Sequence, residues 1–484
     1  MNKFKIFSII IIGLSLAIFT GCDKNEPADE PSMDGLVFNG NEIGNGDQDF
    51  EVNQHFTLKR GVYILKGWVY INDGASVSIP AGTVIKGDKE TKAAFIVRKG
   101  GQLIAQGTAT EPIIFTSNQP KGQRKPGDWG GIIICGRARN NQGTMEIEGG
   151  PDAPHGGADD NDNSGVLSYV RCEFAGFPFA TDQEINGITF GSVGRGTKID
   201  HVQVSYSNDD SFEWFGGSVD AKYLIAYHGW DDDFDTDNGF SGRLQFLLAV
   251  KNPRIADQSV SNGFESDNNA NGTEQQPFTS AVFSNVTIAG PMAQANDFAN
   301  TTDYINGGGY NPQNGSRLGV FQTAMHIRRN SKLNCFNSVA VGFPVGLLLD
   351  NEKGTTQTWA TQGQLKLQNL YFAGMIVLGS DRNKSFKDLL STDGKTDTEG
   401  APSFSSTFFN AQSSNRYYEN AADLHLNSSW KPAAGSPLTA KSGLFTDNAL
   451  ASGFEQVDYI GAFANENDSW ASGWTNFDPQ NTEY

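Results

Sequence analysis

Acidic residues recur in a closely repeated pattern in the middle of the chain. Residues 207–213 have the sequence SNDDSFE, and residues 229–235, which lie 22 positions further on, have the sequence GWDDDFD. A looser third copy, GFESD, occupies residues 263–267. Clustered carboxylates of this kind bind divalent cations or serve as the acid and base of glycoside hydrolysis. The pattern therefore predicts a carboxylate site assembled from repeated copies of one structural unit.

The elements that position these acids are predicted to be short strands. Apolar runs precede the first two copies, at 202–206 and 223–227, and corners that contain Gly216 and Gly239 follow them. Repeats of about 20 to 50 residues built from one strand–turn unit are typical of solenoids. The sequence therefore predicts an all-β, right-handed parallel β-helix, with long loops on one edge and a C-terminal segment that caps it.

This fold has a chemical consequence, because side chains alternate between the two faces of a strand. If Phe212, Phe234 and Phe264 point inward and stack, the acids beside them point outward. These outward acids are our candidate metal ligands: Glu213, Asp235, Asp237, Glu265 and Asp267. Neighbouring rungs lie about 4.8 Å apart, and like charges that face each other destabilise a sheet.

A bound cation is one way to compensate such a column of carboxylates. Calcium is the natural candidate, because oxygen distances of about 2.4 Å let one ion bridge two carboxylates on adjacent rungs. Two alternatives stay open, namely a hydrated acidic face and Asp and Asn side chains that cap turns through their own backbone.

Catalysis is the second function that these residue types permit. β-Helix glycoside hydrolases use carboxylates of neighbouring strands as acid and base, and the weak catalytic candidates are Asp209, Asp210, Asp231, Asp232 and His228. Aspartates at strand ends are also ordinary turn residues. A lyase would need a basic residue on the same face, and neither Arg243 nor Lys222 belongs to a recognisable motif. The sequence favours a non-catalytic protein, with a polysaccharide-degrading enzyme as the alternative.

Composition and charge exclude some functions. The 484-residue chain contains 56 glycines and has a net charge of −19. Loss of the first 21 residues would remove Lys3 and Lys5 and no acid, which gives −21. Such a surface repels nucleic acid, so we expect no nucleic-acid partner.

The N-terminus has the features of a bacterial lipoprotein. Lys3 and Lys5 precede an apolar run at 6–19, and Phe-Thr-Gly-Cys follows, ending at Cys22. We expect residues 1–21 to be a signal peptide, Cys22 to carry the lipid, and residues 22–35 to form a flexible acidic tether. The expected location is the outer membrane, with a lipid anchor and exposure at the cell surface.

The rest of the chain is predicted to form one domain. Residues 36–380 are expected to be the β-helix, and residues 381–484 its C-terminal loops and cap. The polar loop at 149–165 is predicted to be a solvated excursion. Trp470 and Trp474 are predicted to cover the open end of the core.

The chain resembles a family of Bacteroidota outer-membrane lipoproteins with pectate-lyase-like β-helices. The resemblance lies in the lipoprotein start and in the segments NDDSFEWFGG, DDDFDTDNGFSG and NGFESDN. The resemblance implies the fold and the location, and it implies an association with nutrient-uptake or surface-assembly systems. We therefore expect a cell-surface binding or accessory module for a glycan, a peptide or an outer-membrane partner.

Overall fold

The computed structural model describes residues 1, 33–180, 183–390 and 401–484. The expected signal peptide, Cys22 and most of the 22–35 tether lie outside the described residues. Within them, no helix is both long enough and apolar enough to cross a membrane.

Short strands dominate the chain, as its turn-rich composition predicts. The first strands are β1 Val37–Phe38, β2 Glu42–Ile43, β3 Phe50–Val52, β4 His55–Thr57, β5 Val62–Leu65, β6 Trp68–Ile71, β7 Ser76–Ile79, β8 Val84–Gly87, β9 Ala94–Val97, β10 Gln102–Gln106, β11 Ile113–Ser117 and β12 Gly131–Cys135. The middle strands are β13 Met145–Glu146, β14 Pro154–His155, β15 Gly165–Glu173, β16 Pro178–Ala180, β17 Gln183–Glu184, β18 Ile188–Val193, β19 Lys198–Ser205, β20 Phe212–Gly217, β21 Ala221–Tyr227, β22 Phe234–Asp237, β23 Arg243–Val250, β24 Phe264–Ser266 and β25 Val282–Ala289. The last strands are β26 Thr323–Ile327, β27 Asn334–Val341, β28 Val345–Leu349, β29 Leu367–Ala373, β30 Val377–Ser380 and β31 Arg416–Tyr418.

Helices are few and short in the described residues. The α-helices are α1 Thr302–Asn306, α2 Thr356–Thr361 and α3 Phe404–Ala411. Single 3₁₀ turns occupy Pro291–Ala293, Ala421–Leu424, Asn448–Leu450 and Pro479–Asn481.

Two long sheets form a parallel β-helix, which confirms the predicted fold class. The first sheet runs β1-β2-β5-β8-β11-β15-β19-β21-β23-β25-β27-β29-β31, with the branch β4-β7-β10 joining it at β15. The second sheet runs β3-β6-β9-β12-β18-β20-β22-β24-β26-β28-β30. Successive strands of each sheet pair in parallel, except for the antiparallel pair β1–β2.

The long strands of the first sheet each cover two faces of the coil. The first half of β15 pairs with β10 and its second half with β11, so two earlier strands merge into one bent strand. The bend falls at Tyr169, which has a positive φ. Equivalent positions in the next strands also have positive φ, and aromatic and asparagine side chains stack there: His201, Tyr223, Phe246, Asn285, Asn337 and Asn369.

The C-terminal segment runs back along the outer face of the first sheet. Trp474 is fully buried against outward-facing apolar residues of β21 and β23, among them Ile225 and Leu248. Further along, Asn476 donates its backbone N–H to Gln203, and the Tyr484 hydroxyl donates to Glu173. The segment therefore covers the side of the helix, and not its open end as the sequence suggested for Trp470 and Trp474.

One other expectation needs correction. The loop at 149–165 is not simply solvated, because its strand β14 pairs with β13, which lies just before the loop, and His155 is fully buried, with Nδ1 2.8 Å from Ser192 Oγ. The second sheet ends at Ser380, and β31 adds one more strand to the first sheet beyond it.

Candidate functional site

The repeated segments superpose as the sequence predicts. Phe212 pairs with Phe234, and Phe234 pairs with Phe264, in the registers of β20, β22 and β24. All three rings are buried, and the ring centroids of Phe212 and Phe234 lie 5.9 Å apart. Residues 22 apart are thus vertical neighbours in the coil.

The acids beside these rings form a column on the outer face. Glu213 pairs with Asp235, and Asp235 pairs with Glu265. This confirms the geometric premise of the sequence argument, that the acids of successive rungs share one face.

Basic side chains compensate one end of this column. On the next strand, β26, His326 pairs with Glu265 in register, and its Nδ1 lies 3.3 Å from Glu265 Oε2. The guanidinium of Arg328 binds both Glu265 and Asp267, with Nε 2.8 Å from Asp267 Oδ1. Arg329 adds a second ion pair to Asp267, at 2.5 Å.

The whole column, from Glu213 to Glu265, borders a cavity of about 480 Å³, which we call the acidic cavity. Of the described residues that line it, nine are acids: Glu148, Asp209, Asp210, Glu213, Asp231, Asp232, Asp235, Asp257 and Glu265. The basic residues among the described lining are Arg328 and Lys384. The cavity therefore has a large excess of carboxylates over cationic groups.

The carboxylates converge in two overlapping groups of three. Asp209, Asp210 and Asp231 form the first group, and Asp210, Glu213 and Asp235 form the second. In each group, one oxygen from every member lies within 4.8 Å of the others. Asp210 belongs to both groups, so it occupies the centre of the cluster.

Three of these aspartates accept hydrogen bonds from residues that lie 22 to 30 positions further along the chain. Asp210 Oδ1 accepts the backbone N–H of Asp232 at 2.8 Å, and Asp232 Oδ1 accepts that of Asn262 at 2.5 Å. Ser259 donates its hydroxyl to Asp231 Oδ2. These bonds fix the carboxylates in position and leave other oxygens for a ligand. Oδ1 of Asp231 and Oδ1 of Asp235 are buried and have no hydrogen-bond partner in the described part of the chain.

The protonation of the cluster reflects burial and mutual repulsion. Burial raises the pKa of Asp210 well above its usual range, and Asp209 and Asp232 raise it further. For Asp235, burial is again the largest cause of a raised pKa, followed by the charges of Glu213 and Glu265. A nearby cation would favour the ionised forms and lower these pKa values.

Glu265 behaves in the opposite way. Burial alone would raise its pKa, but Arg328 and His326 outweigh this effect and lower the pKa to about 2. Asp232 lies in the same cavity, and its pKa is raised to about 7, mainly by burial and then by Glu265. The cavity thus places an ionised carboxylate beside a carboxyl group that titrates near neutrality.

The donor set fits a hard divalent cation. Carboxylate oxygens are the ligands of Ca²⁺ and Mg²⁺, whereas Zn²⁺ sites use Cys and His. An ion about 2.4 Å from each ligand would contact oxygens up to about 4.8 Å apart, which matches the spread of oxygens within each group. The residues that could hold such an ion are Asp209, Asp210, Glu213, Asp231 and Asp235.

The site residues proposed from the sequence lie in several different environments. Glu213 and Asp235 lie in the cluster, where Asp209, Asp210 and Asp231, first considered as catalytic residues, join them. Glu265 and Asp267 are paired with arginines. Asp237 lines a neighbouring cavity, and His228 lines a pocket against the C-terminal segment.

Sequence reasoning missed Glu148, Asp257 and Arg328. Glu148 and Asp257 reach the cavity from loops, so no periodic pattern indicates them. Arg328 follows His326 by two residues, and strand alternation from His326 would have placed both on the acidic face.

The fold and the site define a class of protein, a parallel β-helix with an acidic cavity on the outer face of one sheet. Residues 50–415 match the family model of the pectate-lyase-like β-helix domain, and the chain belongs to this family. No curated protein and no solved structure matches the chain.

Proposed function

We propose that the protein is a non-catalytic carbohydrate-binding module in which the acidic cavity holds a divalent cation, Ca²⁺ before Mg²⁺. The observation that supports this most is the excess of carboxylates that converge on Asp210. Ionised carboxylates at this spacing repel one another. A cation that binds there lowers the free energy of the folded, ionised state.

Calcium suits the cavity better than magnesium because of its coordination. Ca²⁺ accepts 6–8 oxygens in flexible geometry, whereas Mg²⁺ requires a near-ideal octahedron. Asp210 and Asp231 are fixed by hydrogen bonds from the backbone of Asp232 and the hydroxyl of Ser259, so they cannot easily adjust to an octahedron. Three carboxylates also leave coordination positions on Ca²⁺ for water or a ligand.

The charge of the cavity indicates which ligand it accepts. Uronates and other anionic sugars would meet the remaining carboxylates of the nine, so they are disfavoured. A neutral glycan can place adjacent hydroxyls on the cation and donate other hydroxyls to free carboxylate oxygens, such as Asp235 Oδ1. The proposed ligand is therefore a neutral, polyhydroxylated polysaccharide.

The test is a binding screen of neutral and anionic polysaccharides with the folded chain in calcium, in magnesium and in a chelator. We expect a neutral polysaccharide to bind in calcium and to be released by the chelator. Asp235→Asn should weaken binding by at least tenfold, while the matched control Asp237→Asn, on the same strand, should not. Binding that is unchanged by the chelator would contradict the proposal.

A polysaccharide-degrading enzyme is the second candidate, and one observation favours it. Asp232, with a pKa of about 7, and Glu265, with a pKa of about 2, form the kind of divided pair that serves as acid and base. Incubation of the screened polysaccharides with the protein, followed by measurement of new reducing ends, tests this function. Products that disappear in Asp232→Asn, with ligand binding retained, would establish the enzyme.

For the location, we propose a lipid anchor at Cys22 in the outer membrane, with the β-helix at the cell surface near a transport or assembly complex. The sequence around Cys22 supports the anchor. Metabolic labelling with a fatty-acid analogue should mark the protein and should fail for Cys22→Ser. External protease should digest it on intact cells, and complete protection would contradict surface exposure.

A further inference from the structure

A second cavity lies where the C-terminal segment packs against the first sheet, and we call it the aromatic pocket. Its volume is about 510 Å³, within the range of small-molecule sites. Residues from the ends of β21 and β23 form one wall, and the C-terminal segment forms the other. The lining includes Tyr227, His228, Gln294, Trp430, Phe463 and Phe477. This set shares no residue with the lining of the acidic cavity.

One aromatic ring at this pocket is well exposed and is not covered by the core. Phe477 retains 42% of its surface exposed, and its ring meets Tyr227 edge to face at 5.0 Å. Trp470 and Trp474, by contrast, donate their indole N–H groups to the backbone carbonyls of Ala462 and Trp470. Phe477 therefore presents ring surface to a ligand, whereas Phe463 is buried and stacks on Trp470.

A tight loop holds Trp430 in place at the pocket. Trp430 has a φ of 63°, a left-handed conformation that is uncommon for a large side chain. Asn427 fixes this loop, because its Oδ1 accepts the backbone N–H groups of Ser429 and Lys431 at 2.9 and 3.1 Å. A rigid aromatic side chain loses little conformational freedom when a ligand binds.

The polar groups of the pocket complement the rings. Gln294 lines the pocket, and its Nε2 is buried without an acceptor in the described part of the chain. Burial lowers the pKa of His228 to about 3, so its imidazole is neutral at physiological pH. The Lys431 ammonium donates to the carbonyl of Asp468. The described lining contains no carboxylate, so nothing in it calls for a metal ion.

We propose that the aromatic pocket is a second, metal-independent binding site for one neutral sugar ring of a glycan. A sugar ring has apolar C–H faces that pack on aromatic rings and hydroxyls around its edge that pair with polar groups. A purely apolar ligand would leave the Gln294 donor without a partner, which is unfavourable. A cationic ligand would find no carboxylate among the described lining residues, and the Lys431 ammonium already donates to the backbone carbonyl of Asp468.

Saturation-transfer NMR with methyl glycosides of glucose, galactose, mannose, xylose and N-acetylglucosamine tests this site. We expect at least one glycoside to bind with a Kd on the order of 1 mM, which is typical of a ligand of this size. Phe477→Ala should weaken binding by about tenfold, because it removes one exposed ring and leaves the sheet intact. The matched control Phe386→Ala, which truncates an exposed ring outside the pocket, should bind normally.

Further measurements separate this site from the acidic cavity. Spectra recorded in a chelator exclude calcium-dependent binding at the acidic cavity, and under these conditions Asp235→Asn should give the same NMR signal as the parent protein. The proposal is wrong if no glycoside of the panel gives saturation transfer at roughly 20 mM, well above the expected Kd. It is also wrong if Phe477→Ala and Trp430→Phe, both checked for native melting, bind as well as the parent protein.

Discussion

Asp235→Asn is the substitution that separates a cation site from a merely acidic surface. Asp235 lies between Glu213 and Glu265 in the column, and its Oδ1 has no hydrogen bond that the change would break. Two unit charges about 4.8 Å apart repel by about 3.5 kcal/mol at an effective dielectric constant of 20. Without calcium, the variant should therefore be at least as stable as the parent protein.

With calcium, the order should reverse. A ligand at about 100 times its Kd raises the free energy of unfolding by about 2.7 kcal/mol. For 484 residues, the unfolding entropy is about 1 kcal/mol/K, so the parent protein should melt about 3 °C higher. A 100-fold loss of affinity in Asp235→Asn would leave a rise of less than about 0.5 °C at the same calcium concentration.

Differential scanning calorimetry of both proteins, with calcium and with a chelator, measures these four melting temperatures. Asp237→Asn is the control, because it removes a carboxylate from the same strand outside the two groups of three. Equal calcium-induced rises in melting temperature in Asp235→Asn and the parent protein would show that Asp235 does not bind the ion. A large fall in the calcium-free melting temperature of Asp235→Asn would refute the repulsion argument.

Three further predictions concern pH, charge pairing and the core. Without a cation, the free energy of unfolding should fall as pH rises from about 4 through 7, because carboxyls with raised pKa values, such as Asp232 at about 7, keep in the folded state a proton that the unfolded state loses. The calcium-induced melting shift should therefore be larger at pH 8 than at pH 5, and a larger shift at pH 5 would contradict this. Arg328→Met should lower the free energy of unfolding by about 3–5 kcal/mol in denaturant titrations, because Glu265 and Asp267 lose the positive charge of Arg328 and stay buried. An unchanged free energy of unfolding would show that His326 and Arg329 alone neutralise these two carboxylates. Phe234→Ala should lower the free energy of unfolding by about 3–5 kcal/mol in the same titrations, because it leaves a cavity between Phe212 and Phe264. A loss below about 1 kcal/mol would mean that neighbouring side chains move in and fill the cavity.

The fold and the register were predictable from the sequence because they follow from local repetition. Two copies 22 residues apart fix one turn of the coil, and alternation then assigns Phe234 inward and Asp235 outward. The third copy pairs in the same register despite a longer loop, since Phe264 packs against Phe234 with ring centroids 5.5 Å apart.

The distribution of charge in the site was not predictable in the same way. His326 and Arg328 lie on the rung after Glu265, but the loops before β26 separate them from it by about 60 residues and no sequence repeat marks that rung. Their positive charge pairs two of the five expected calcium ligands, Glu265 and Asp267. Asp210, at a turn, reaches the cluster only because the coil brings rung corners together.

The path of the C-terminal segment also depends on contacts between distant residues. Its tryptophans are apolar and could cover any exposed surface of the core. The outward-facing Ile225 and Leu248 select the side of the first sheet, and Trp474 packs on them. Sequence alternation identifies these outward apolar positions, but it does not identify the segment that covers them.

Anomalous diffraction from crystals grown in calcium would locate the bound ion itself. We expect a calcium peak among Asp210, Glu213 and Asp235, or in the overlapping group with Asp209 and Asp231, with oxygen distances of about 2.4 Å. A map at saturating calcium without a peak between these carboxylates, or with the ion bound only elsewhere, would contradict this expectation.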